Sequence, residues 1–354
     1  MAQYSHLSEP DPELPSIPKM AGPITADILP MLRETIDLPP GQKLELFRAR
    51  LPPGEHTPPG RRLDGFRALS TLDSMYKVEN HTVAVEDGEI CVRTVSPTPG
   101  EDESPEFPVL VYFHGGGWSA GTVDSWDLEL RILSVKLRLT TVNVGYRLAP
   151  EHPFPTGLND CYAALKWVSS SPDQLRIHGV LGKGFILCGS SAGANLAAAV
   201  THRSLKDSFF ENHKITGNIL QIPSLIHPAA YPSEYTNELL SFKQNEDAPI
   251  LNKALKEVLY DFLNGPPTDP EVSPLLANHT CLPPTYLQVC GLDPLRDEGL
   301  LYERLLREQH VPTRLDVYPG VPHGFHSMFP EMTATKKWDA DFHEGIKWVL
   351  EFSL

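Results

Sequence analysis

The rhythm of apolar and polar positions changes near residue 108. Before it, VENHTVAVEDGEICVRTVS (78–96) alternates at the two-residue period of a strand with one solvated face, and Asp87-Gly88 lies at its centre. That pattern predicts a hairpin turning at Asp87-Gly88. From Pro108 onward, short apolar runs alternate with longer amphipathic ones. PVLVYFH, TTVNVGY, GFILCGS, ITGNILQIPSL, PPTYLQVCG and TRLDVYP read as strands. SWDLELRILSVKLRL, LNDCYAALKWVSSS, SAGANLAAAVTHRS, GLLYERLLREQ and TATKKWDADFHEGIKWVLEF read as helices. Apolar strands separated by helices predict an α/β fold, a mostly parallel sheet with helices on both faces. Residues 226–272 interrupt this alternation with a helical pattern where a loop would suffice, so an inserted helical lid is expected there. Residues 1–75 are rich in proline and carry two short amphipathic stretches, ITADILPMLRETIDL and GQKLELFRARL.

Composition narrows the function classes. The 354 residues carry 45 acidic and 30 basic side chains, a formal charge of −15, with no Lys/Arg cluster, which argues against a nucleic-acid or anionic-membrane surface. No apolar run is long enough to cross a bilayer, and the first residues lack the basic and apolar regions of a secretory signal, so a cytoplasmic protein is expected. Five cysteines are scattered without a CxxC pair and read as free thiols, not as a metal or disulfide framework.

Candidate chemistry sits at the ends of the strands. In Gly189-Ser190-Ser191-Ala192-Gly193 a G-x-S-x-G pattern follows an apolar strand and opens a helix, the context of a nucleophile elbow that exposes the Ser191 hydroxyl above the sheet. A serine hydroxyl needs a base, and the base an orienting acid. Downstream, one strand ends at Asp293 and the next near His323, both at the sheet edge where the elbow opens. Asp297 and His326 are the neighbouring competitors. Asp293 is preferred because it comes directly off its strand, and His323 because Gly324 lets its loop fold inward. HGGGW (114–118) places glycines after a buried strand, leaving unobstructed N–H groups for an oxyanion; Gly116, Gly117 and Ala192 are the expected donors. Gly115-x-Gly117-x-x-Ala120 also fits a dinucleotide fingerprint, but no helix starts at the glycines and no acidic residue ends the next strand. Asp124 reads as the cap of the following helix, Asp124 and Asp127 as helix-start carboxylates and not metal ligands, and His114 as structural.

With HGGGW, G-x-S-x-G, DPLRDE (293–298) and HGF (323–325) in this order, residues 108–330 resemble the hormone-sensitive-lipase-like family of α/β-hydrolase carboxylesterases; YRLAPEHPFP and SPLLA are further family-typical stretches. The resemblance implies the α/β-hydrolase fold, with Ser191 as nucleophile, Asp293 as acid, His323 as base and Gly116, Gly117 and Ala192 as oxyanion donors. It implies a core of residues 76–225 and 273–354, and a cap built from 1–75 and 226–272. Members often carry Asp where this chain has Ser190. Trp118, Ser190 and Phe325 are candidates for the pocket wall, and Phe242, Tyr260 and Phe262 are candidates for the lid or, equally, for packing residues. The expected activity is hydrolysis of small to medium acyl esters without metal or organic cofactor, on a small-molecule substrate, and a homo-oligomer is compatible with the sequence. The alternatives are a lyase or cyclase on the same fold, or a non-catalytic receptor, which would lack the base histidine.

Overall fold

The computed structural model describes residues 3–14, 44, 45, 48, 73–170 and 180–353. The two amphipathic stretches expected before residue 75 fall almost entirely outside them. Eight strands form one sheet among the described residues: β1 (Tyr76–Val85), β2 (Gly88–Pro97), β3 (Val109–Phe113), β4 (Thr140–Gly145), β5 (Phe185–Ser190), β6 (Gly217–Gln221), β7 (Thr285–Leu292) and β8 (Thr313–Pro322). Their spatial order is β1-β2-β4-β3-β5-β6-β7-β8. The β1–β2 hairpin turns at Asp87, which takes φ 56°, and β2 joins β4 antiparallel. All other pairs are parallel.

The central strands are apolar on both faces because both are covered. Val109, Val111 and Phe113 of β3 point into one core layer, Leu110 and Tyr112 into the other; Phe185 and Leu187 of β5 divide from Ile186 and Cys188 in the same way. The first layer lies under α2 (Thr156–Ser170), α3 (Ala192–Ser204) and α6 (Arg296–Glu308). The second lies under α1 (Asp127–Leu137) and α8 (Thr333–Glu351). The two-residue period thus sorts side chains between two layers rather than between core and solvent.

Helix α1 starts later than expected. Asp124 does not cap it: the amide of Asp124 donates to Thr122 Oγ1 (3.1 Å) and that of Ser125 to the Thr122 carbonyl (2.9 Å), closing a separate turn. The helix begins at Asp127, behind Trp126 at φ 66°. Asp124 instead binds Arg93 (2.7 Å), which also holds Asp127 (3.0 Å).

Between β6 and β7 the chain makes an excursion containing α4 (Ser241–Gln244) and α5 (Lys253–Leu263). Helix α5 has both ends specified locally. The Asn252 side chain accepts from the Leu255 amide (2.9 Å), and Asn264 closes the other end in the left-handed region at φ 52°. Its Leu255, Leu259, Tyr260, Phe262 and Leu263 are buried in the larger core layer.

Candidate active site

Ser191 occupies a corner that only small neighbours permit. It sits at φ 56°, ψ −115° between β5 and α3, and its amide donates to the Gln221 carbonyl at the end of β6 (2.8 Å). A Cβ on Gly193 would stand 1.9 Å from the Phe113 carbonyl oxygen. Glycine there lets α3 start directly against the end of β3, and the non-glycine residue at positive φ is held by the packing around it.

Asp293 follows β7 by one residue and His323 follows β8 by one, so the parallel sheet delivers both to the edge where Ser191 emerges. The His323 Nδ1–H donates to Asp293 Oδ2 (2.7 Å), and the Ser191 hydroxyl donates to His323 Nε2 (2.9 Å). The carboxylate can only accept, which fixes the imidazole tautomer and leaves Nε2 free to accept from serine. Asp293 is 1% exposed and His323 8% exposed, so this chain of bonds is largely withdrawn from water. Asp293 has a second role: its Oδ1 accepts from the Leu295 amide (2.8 Å), making the Asx turn that leads into α6. The competing residues are engaged elsewhere. Asp297 pairs with Arg296 (2.7 Å) and accepts from the amides of Leu240 and Ser241 (2.9 and 2.6 Å), and His326 stacks on Trp338 at 4.3 Å.

The glycine loop lies beside the hydroxyl. Gly116 and Gly117 take φ 115° and 61°, and a Cβ on Gly117 would meet Leu259 of α5 at 2.5 Å. Among the described residues the amides of Gly116, Gly117 and Ala192 donate to nothing, the last being the first residue of α3. His114 anchors the loop from behind: its Nδ1–H donates to the Gly115 carbonyl (2.8 Å), its ring stacks on Tyr146 at 4.3 Å, and the Tyr146 hydroxyl donates to the His114 carbonyl (2.7 Å).

The three pocket candidates are placed differently. Trp118, at φ 58°, is buried with its ring tilted on Tyr260 at 5.0 Å, and it lines a narrow apolar cleft with Asn195, Leu196 and Leu158. Ser190 is buried at the end of β5, its carbonyl 3.0 Å from where a Gly115 Cβ would stand. Phe325 departs from the expectation. It opens α7 (Phe325–Met328), fully buried in a separate cluster with Tyr318, Trp338 and Val321, because the turn after His323 drives it back under the sheet edge.

A family profile described as the alpha/beta hydrolase fold matches residues 110–327. The chain belongs to the hormone-sensitive-lipase-like family of α/β-hydrolases. Among the relatives of this α/β-hydrolase, the versiconal hemiacetal acetate esterase of Dothistroma septosporum is 32% identical over 70% of this chain and 75% of its own length. The carboxylesterase NlhH of Mycobacterium tuberculosis is 31% identical over 87% and 91%. In structure, the chain superimposes on vibralactone cyclase with a TM-score of 0.82 and 34% identity, covering 98% of this chain and 97% of that one.

Several residues that shape the site carry no sequence motif. Asn245, just after α4, donates its side-chain amide to the Asp293 carbonyl (2.9 Å) and the Gly291 carbonyl (3.3 Å), clamping the Asp293 turn. Ser241 Oγ donates to the Pro294 carbonyl (2.8 Å). Lys256 of α5 forms an ion pair with Glu298 of α6, both buried. Glu298 also accepts from the amides of Leu225 and Ile226 (2.9 and 3.2 Å) and from the Tyr231 hydroxyl (3.2 Å). Burial pushes its carboxyl above the usual carboxylate range, against the pull of Lys256. Near the chain's start, buried Leu44 joins the core, and Arg48 donates to the Ser119 carbonyl (2.7 Å) and to Glu151 (2.8 Å), just past the glycine loop.

Proposed function

We propose that this α/β-hydrolase is a serine esterase acting on small to medium acyl esters. The observation that carries the reading is the continuous bond path from the Ser191 hydroxyl through His323 to buried Asp293, opening beside three amides that have no partner among the described residues. The esterase names of the relatives support it. Ser191 Oγ attacks the ester carbonyl while His323 Nε2 takes its proton, and Asp293 stabilises the imidazolium and holds the ring. The carbonyl oxygen becomes an oxyanion facing the N–H groups of Gly116, Gly117 and Ala192, whose donors gain strength only as charge develops. His323 then protonates the departing alcohol, and water, deprotonated by the same nitrogen, releases the acid from Ser191. The segment 226–272, with Leu44 and Arg48, serves as the cap that bounds the acyl or alcohol pocket, and Trp118 forms part of its wall.

The test is Ser191→Ala with p-nitrophenyl acetate, read together with covalent labelling by a fluorophosphonate. Turnover is expected to fall by roughly 10⁵-fold or more and labelling to vanish. Undiminished hydrolysis in a folded variant refutes the assignment. One observation favours a second reading: the TM-score to vibralactone cyclase is 0.82, against 0.68 to bacterial heroin esterase. In that reading a hydroxyl within the substrate, not water, attacks the acyl–Ser191 bond, gives its proton to His323 and closes a lactone. Hydroxy-ester substrates whose products are resolved as hydroxy acid or lactone separate the two.

A further inference from the structure

The inserted segment touches both halves of the catalytic apparatus. Its α4 end grips the turn of Asp293 through Asn245 and Ser241. Its α5 packs on the glycine loop: Leu259 occupies the space a Gly117 side chain would need, and Tyr260 lies against Trp118. The Tyr260 hydroxyl shares a hydrogen bond with Ser224 (2.9 Å), whose carbonyl accepts from Asn195 (2.9 Å), one turn beyond Ser191 on α3.

Helix α5 also carries a buried charge. Lys256 lies one turn before Tyr260, 2% exposed, its ammonium 5.1 Å from the Phe242 ring centre and 5.8 Å from that of Tyr260. Its carboxylate partner, Glu298, is fully buried and sits five residues beyond Asp293, on the helix that the acid's turn begins. A buried ion pair is weak evidence for stability, since well-packed apolar residues often do as well; its better attested use is to fix one arrangement among several. Here the arrangement it fixes is the seat of Leu259 and Tyr260 on the oxyanion loop.

Resting on the esterase reading, we propose that Lys256 is a positioning residue for the reaction: by tying α5 to Glu298 it holds Gly117 and Trp118 in register with Ser191 and Asp293. Interactions with the oxyanion exist only in the transition state, so a loosened loop lowers kcat and leaves KM nearly unchanged. Small misplacements at a reacting centre cost on the order of 10- to 100-fold.

The experiment compares wild type, Lys256→Met, Lys256→Arg and the double variant Lys256→Met/Glu298→Gln, with p-nitrophenyl acetate kinetics, the rate of fluorophosphonate labelling and thermal melting on each. The expected result is that Lys256→Met lowers kcat by about tenfold or more with KM changed by less than about threefold, that labelling slows in parallel, and that Lys256→Arg restores most of the rate. The double variant carries no unpaired buried charge and is expected to fold yet remain slow; it decides the matter should Lys256→Met not fold. Wild-type kcat in folded Lys256→Met, with only the melting temperature lowered, overturns the proposal. So does recovery of wild-type kcat in the double variant, which would trace the defect to an orphaned carboxylate. If the wild type hydrolyses no ester, the esterase reading fails by itself, and the ratio of labelling rates still tests Lys256.

Discussion

The elbow around Ser191 and the turn around Asp293 deliver neighbouring atoms to one place by opposite means. The elbow is made of backbone. Its geometry depends on Gly193 allowing α3 within contact of the Phe113 carbonyl, and on a serine held at positive φ. The Asp293 turn is made of side chains. Asn245, Ser241, Asp297 and Arg296 reach it from the inserted segment and from α6, and the carbonyls of Gly291, Asp293 and Pro294 are all used as acceptors. A backbone device has no tolerance at its key position. A side-chain network distributes the load, so each member can be removed at moderate cost.

The comparison breaks most visibly at Gly193. Gly193→Ala is expected to destabilise the protein by at least about 4 kcal/mol, or to abolish soluble expression, because the clashing Phe113 and His114 carbonyls (1.9 and 2.6 Å) are backbone and neither can yield. Urea unfolding and esterase assays check it; a stable, active variant would mean the elbow is more pliant than its contacts imply. Asn245→Ala should be milder, costing about 1 kcal/mol, because the Gly291 carbonyl keeps the Arg296 guanidinium (3.2 Å) and the Asp293 carbonyl keeps the Arg296 amide (3.1 Å) as donors. On the proposed mechanism, activity is expected to fall by up to roughly tenfold as the Asp293 carboxylate shifts relative to His323. Both are read from melts and kcat.

A smaller effect sharpens the contrast at the other end of the elbow helix. His202 is buried beside His279 and Tyr302, its Nε2 3.2 Å from the Tyr302 hydroxyl. Burial, helped by the charges of His279 and Lys206, pulls its pKa down to about 3, and burial lowers that of His279 as well. In the unfolded chain a histidine titrates near 6.5, so between about pH 6.5 and 3 the unfolded state binds more protons than the folded one. Stability at neutral pH should therefore be lost on acidification across that window, by about 1.4 kcal/mol per pH unit per histidine at most. His202→Gln should flatten the slope, as urea midpoints at pH 7 and pH 4.5 would reveal; an unchanged slope contradicts it. Smallest of all is Asp124→Asn. Its carboxylate is 59% exposed beside Arg93, and a change within about 1 kcal/mol is expected in thermal melts.

The same contrast explains what the sequence disclosed. A backbone device writes itself as residue types at fixed spacing, which is why the glycines around Ser191 and in HGGGW were readable, and why the strand ends pointed to Asp293 and His323. Alternation likewise announced the hairpin at Asp87 and the two-sided sheet. Side-chain networks leave no such trace. Asn245 meets Asp293 across 48 positions and Lys256 meets Glu298 across 42, and nothing local to either asparagine or lysine marks it as a partner. Phe325 was misread for a related reason: adjacency to His323 suggested a pocket wall, but direction is decided by the turn, which sends the ring into a cluster with Trp338. Asp124 resembled a cap because its type suits one, yet a distant arginine, Arg93, claims it.

Because the excursion departs from β6 and returns on β7, its immediate neighbour in the sheet, it is the natural unit to exchange with that of a relative. Its grip on the Asp293 turn and on the glycine loop means that such a chimera imports more than a new wall. On the roles proposed above for the segment and for Lys256, a transplanted segment must supply its own amide donor for the Asp293 carbonyl and its own cation for Glu298, or it will change the chemistry while intending only to change the guest.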